Sequence, residues 1–137
     1  MRVGRCALVA LLVFPACIWR SYSNIMSVHL DVLMSMVDKT VANAAAGHRP
    51  TSNDVTELTY PLERAQQFAQ QFNGYQDRDS YRQFVALLER YDGFVQSIDG
   101  ARADQQRWQV LQATLPEKAA ALRDSTAQVR AALARGT

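Results

Sequence analysis

From Ile25 to Ala46 the apolar positions Ile25, Val28, Val32, Met36, Val37, Val41 and Ala44 recur largely at intervals of three or four, the spacing of one face of an α-helix. Gly47-His48-Arg49-Pro50 ends that helix. The second segment opens with Asp54-Val55-Thr56-Glu57, a pattern for a reciprocal cap in which Asp54 accepts from the helix N-terminus and Glu57 reaches back. Val55, Leu58, Leu62, Ala65, Ala69 and Phe72 then carry the apolar face as far as Asn73-Gly74. Pro61 interrupts this run, so either the first turns are kinked there or the regular helix starts near Thr59 with Pro61 in its first turn.

The third segment reads Tyr81, Phe84, Leu88, Tyr91, Val95 and Ile98, a heptad seam with Ser80 and Gln83 as its cap and Asp99-Gly100 as its closing turn. The fourth places Trp108, Leu111, Leu115, Leu122, Thr126, Val129 and Leu133 on one side and Arg, Gln and Asp on the other. Pro116 falls inside it, and Thr114-Leu115-Pro116-Glu117 has the form of a fresh cap, so this stretch is one kinked helix or two in tandem. No segment alternates apolar and polar residues with period two, which leaves a sheet no place to form. The expected fold is all-α: an antiparallel bundle of about four helices over residues 25–135, each burying one apolar stripe.

The N-terminus has a different pattern. Met1-Arg2-Val3-Gly4-Arg5 is short and basic, Cys6 to Phe14 is apolar, and Pro15-Ala16-Cys17 follows, which is the layout of an export signal. As a helix the apolar run spans only about 14 Å at 1.5 Å per residue, well short of the ~30 Å hydrocarbon core of a bilayer. Arg20 stops the run, and Ser21-Tyr22-Ser23-Asn24 is polar. Residues 1–17 are therefore expected to be a signal and residues 18–24 a short tether to the bundle.

Ala16-Cys17 directly after the apolar run resembles the lipobox of bacterial lipoproteins, in which a small residue precedes the cysteine. Phe14 and Pro15 depart from that pattern, standing where Leu and a small or aliphatic residue are usual. The resemblance implies that Cys17 is acylated, becomes the new N-terminus and fixes the protein to a membrane facing the periplasm or exterior. Plain secretion and an uncleaved anchor are the alternatives. Of the two cysteines, Cys6 lies in the apolar run, so a processed chain keeps one at most and forms no internal disulfide.

Charge adds one exclusion. Thirteen of the fifteen basic residues are Arg, and without Arg2 and Arg5 the basic and acidic positions balance at 13 each. No clustered cationic excess invites nucleic acid. Candidate chemistry is equally sparse. The metal-ligand types are His29 and His48 with Met26, Met34 and Met36, and no His-x-x-x-His, Glu-x-x-His or Cys-x-x-Cys-His occurs. His29 and Met36 lie seven apart and read as a core-edge histidine and a core-filling methionine, while His48 sits in a turn. Asp77 with Asp79, and Glu89 with Asp92, read as solvated charge. No nucleophile is placed beside a base, so no cofactor, metal or catalytic residue is expected.

The aromatic residues concentrate in the middle of the chain, mostly as core, with Tyr75 in a turn and Phe94 off the heptad seam as candidates for a partner surface. Gln67, from the glutamine-rich run of residues 65–72, and Arg90 complete that candidate set. The expectation is a non-catalytic envelope lipoprotein acting as a structural or protein-interaction module, with a protein partner of unknown identity. A helical carrier or sensor of a small hydrophobic ligand is the second reading, and an inhibitor or immunity-type lipoprotein the third. A continuous pocket between helices favours the carrier, and an exposed apolar patch favours partner binding.

Overall fold

The computed structural model describes the backbone of residues 4–137 and the side chains from Cys17 onward. Four helices follow in order: α1 (Gly4–Ala45), α2 (Ser52–Gln71), α3 (Asp79–Arg102) and α4 (Gln105–Arg135), with a single 3-10 turn, Asn73–Tyr75, between α2 and α3. Each helix packs on two neighbours, α1 and α3 both lying against α2 and α4. Short connections force consecutive helices to run antiparallel. Two ion pairs fix the closing register, Asp31 of α1 with Arg130 of α4 and Asp38 with Arg123, each pair one heptad from the other in opposite directions along the two helices. The expected all-α bundle is the observed fold.

Local chemistry explains the ends. The N-cap of α2 is Thr51, one turn before the expected Asp54: the Asp54 N–H donates to Thr51 Oγ1 at 3.3 Å and the Thr51 N–H donates to Asp54 Oδ2 at 2.7 Å, so Asp54 is the far half of the box. Thr51 wins because the earlier start adds a turn of helix and frees Glu57 to pair with Lys39 of α1 at 2.6 Å. Pro61 then lies well inside α2, buried, rather than in its first turn. At α4 the Asp104 carboxylate accepts from the backbone N–H groups of Gln106 and Arg107 at 2.9 and 3.1 Å. Gly136, at φ 73°, closes that helix in the left-handed conformation that glycine adopts without strain.

The fourth stretch is one helix rather than two in tandem, and the closing turn expected at Asp99-Gly100 is absent. Helix α4 is continuous through Pro116, whose ring is exposed, because Leu115 and Ala119 on either side are both held in the core. Thr114 is no cap: its hydroxyl donates back to Leu111 O at 3.1 Å within the same helix. Likewise Asp99-Gly100 lies inside α3, which continues to Arg102 and buries Ala101. The residues expected to cap α3 do other work. Ser80 is buried against the Tyr22 hydroxyl at 3.2 Å, and Gln83 donates to Asp79 at 3.0 Å.

Two further corrections fall on α1. Residues 18–24, expected as a tether, are helical, and Tyr22 is wholly buried among Phe68, Phe72 and Tyr75. The gain from burying one large aromatic ring outweighs the weak helix preference of Ser and Asn around it. The buried face of α1 matches the expected one only toward its C-terminal half, where Val37 and Ala44 are buried and Met36 and Val41 pack against the core. It runs Tyr22, Met26, Leu30, Leu33, Val37 and Ala44, whereas Ile25, Val28 and Val32, expected in the core, are exposed. The core itself is closed by rings and branched chains, Phe84, Leu87, Tyr91 and Ile98 from α3 meeting Leu115, Leu122 and Val129 from α4.

Candidate functional site

The α1 helix carries two apolar stripes, and only one of them can face the bundle. The second, Ile18, Ile25, Val28 and Val32 at spacings of seven, three and four, stays on the surface toward α2. Val28 keeps 59% and Val32 43% of its surface exposed. On α2 the ring of Tyr60 stands 63% exposed beside buried Pro61. Between the two helices lies an open groove of about 640 Å³, lined on the α1 side by Val28, His29, Val32 and Met36 and on the α2 side by Tyr60 and Pro61 with Thr56, Glu57 and Arg64.

Polar groups at the groove are few and mostly engaged. Glu57 is tied to Lys39 across one end, and the Thr56 hydroxyl donates to Ser52 O of its own helix at 3.1 Å. His29 is half-buried with its ring 5.1 Å from that of Phe68. Desolvation there, helped by the Arg64 charge, holds the imidazole below its ordinary value of 6.5 and so keeps it neutral at neutral pH. Among the described residues no group of three or more His, Cys, Asp or Glu side chains is gathered to hold a metal ion.

The residues singled out in the sequence scatter rather than converge. Phe94 is buried in the core beside Tyr91, because α3 packs on both α2 and α4 and so buries a wider arc than a single heptad seam. Tyr75 is half-buried and stacks on Tyr22 at 4.4 Å. Arg90 donates to the Ser125 hydroxyl of α4. Gln67 alone is an open surface residue near the groove, two helical turns from Tyr60 on the same side of α2. His48 is exposed in its turn, Met26 is wholly buried, Met34 and Met36 are half-buried, and Asp79 pairs with Arg82 and Arg135. Cys17 is exposed on α1, while residues 4–16 of the expected signal lie outside those whose side chains are described.

Sequence reasoning named Val28 and Val32 but assigned them to the core, and it missed Tyr60. The available signal was the breadth of the apolar arc on α1, wider than one neighbouring helix can cover. No protein-family model, no curated protein and no solved structure matches the chain. Among the described residues no helix is long and apolar enough to cross a membrane.

Proposed function

We propose that this chain is a non-catalytic envelope protein, held at a membrane by its N-terminal segment, whose bundle is a protein-interaction module using the α1–α2 groove. The observation that carries the reading is the second apolar stripe: Val28, Val32 and Tyr60 form a connected exposed surface that Ile25 and Ile18 extend along α1, whereas the other exposed large apolar residue among those described, Val110 on α4, stands apart from it. Leaving such a stripe in water forgoes roughly 25 cal/mol for each Å² of apolar surface, a cost that a partner recovers on binding.

The occupant that fits is an amphipathic helix from a partner protein. Two antiparallel helices make a groove of the right form to take the apolar face of a third, in the manner of helix-in-groove recognition. The carrier reading asks instead for an enclosed pocket. The cavity lined by Met36, Thr40, Asn43, Ile98 and Trp108, open to solvent past Lys39, His48 and Arg49, is only about 30 Å³, room for a water molecule.

A photoreactive benzoyl-phenylalanine placed at Val32, compared with one at exposed Gln128 on α4, tests this in the native host. The expected result is a discrete protein adduct at position 32 that disappears with Val28→Glu. Equal yields at both positions, or none at 32, would remove the groove from the function.

A further inference from the structure

We infer that the end of the bundle built from Cys17–Tyr22 of α1 and the turn carrying Tyr75 and Arg78 rests directly on phospholipid headgroups. This deepens the proposed membrane attachment and rests on it. Attachment alone leaves the bundle free to hang from a tether, and the structure has no tether in the place where one was expected.

The argument starts from Tyr22. Its ring is buried, stacked on Tyr75 and 5.2 Å from Trp19, and its hydroxyl meets buried Ser80 of α3. That locks α1 into the bundle at this point. Cys17 lies five residues earlier on the same unbroken helix, about 7.5 Å along the axis. Whichever part of the preceding segment enters hydrocarbon, an acyl chain on Cys17 or the apolar run itself, the bundle end is carried to within a helical turn or two of it.

The side chains found there suit that depth. The Trp19 ring is half-buried against Tyr75 at 5.9 Å, and the Arg78 guanidinium stands 5.0 Å over its face. Ile18 and Arg20 are exposed beside them. Trp and Tyr favour the membrane–water boundary because one part of each ring is apolar and the other polar, and Arg pairs with phosphate. Asp79 is engaged by Arg82 and Arg135, and Arg78 also donates to Gly136 O at 3.0 Å. The opposite end, turns 46–51 and 103–104, carries no exposed Trp, since Trp108 is buried beneath it.

The two tryptophans make the test. Trp108 packs near Thr40 and Asn43, some twenty residues further along α1 than Trp19, or roughly 30 Å at the helical rise. The full chain, purified from membranes of a bacterial host with its N-terminus as processed there, is returned to vesicles of phosphatidylethanolamine and phosphatidylglycerol, with and without bromine on the acyl chains near the headgroup. Bromolipid should remove roughly half of the wild-type tryptophan emission, one ring of two. The W19F protein should float with the vesicles equally well yet lose that quenching, and W108F should be quenched roughly twofold more in fractional terms than wild type. A protein that floats while its emission ignores bromolipid overturns the seated end and leaves attachment intact. A protein that does not float overturns attachment, and the seated end with it. The wild type and W19F alone decide the matter if W108F proves unstable.

Discussion

At His29 the imidazole sits between an apolar core and an open groove, and its environment has a measurable consequence. Burial, aided by Arg64, depresses its pKa in the folded state below the 6.5 of the unfolded chain. Below that value the unfolded chain binds a proton that the folded one resists, so stability is fully present above about 6.5 and falls as pH drops toward the folded value. The denaturant midpoint should decline between about pH 7 and pH 5, and the decline should be smaller in His29→Gln. An equal decline in both proteins would assign the effect elsewhere. Asp54 does not compete in that window. Its carboxyl is held down by the Thr51 N–H and hydroxyl, and its contribution is lost only under more acidic conditions, below its ordinary 3.8. At the other extreme Tyr91, raised well above its ordinary 10 by burial, donates to Leu58 O at 3.0 Å. Tyr91→Phe should cost about 0.5–1.5 kcal/mol, read by urea unfolding, since it removes one buried hydrogen bond and little volume.

Among the elements, the two helix prolines make a controlled pair. Each deletes one N–H from a helical ladder, but Pro116 is exposed on α4 while Pro61 is buried in α2 beside the groove. Pro116→Ala should therefore restore a hydrogen bond and improve helix propensity with no packing lost, raising stability by on the order of 1–3 kcal/mol. Pro61→Ala should gain less, because the buried ring is lost. Thermal unfolding of both variants checks the order. Elements also show where the sequence was legible. The heptad seam of helix α3 could be read directly, and Phe84, Leu88, Tyr91, Val95 and Ile98 are core as expected, although the helix buries Leu87 and Phe94 beside that seam as well. Helix α1 has two stripes, and periodicity cannot say which one faces neighbours that are remote in sequence. Ser21-Tyr22-Ser23-Asn24 looked like a linker because its polar residues are local information, whereas the partners of Tyr22, at Phe68, Tyr75 and Ser80, lie some fifty residues away. The groove had no motif to announce it, since it is defined by the juxtaposition of Val28 and Val32 with Tyr60.

For the molecule as a whole, the proposed function requires the fold and the binding surface to be separable, and the burial pattern gives a direct way to separate them. Leu88 is 4% exposed in the seam of α3, so Leu88→Ala should cost about 2–5 kcal/mol through lost burial and the cavity left behind. Val28 and Val32 lie outside the core, and changing both to Glu should shift stability by no more than roughly 0.5 kcal/mol each. Neither change touches the ion pairs of Asp31 with Arg130 and Asp38 with Arg123, which join α1 to α4 away from the groove. The V28E/V32E protein should thus unfold at nearly the wild-type urea concentration, with an unchanged helical circular dichroism signal, and yet lose the adduct formed through the α1–α2 groove. If that double variant were as unstable as Leu88→Ala, the second stripe would be part of the core. The loss of partner contact would then say nothing about a binding surface.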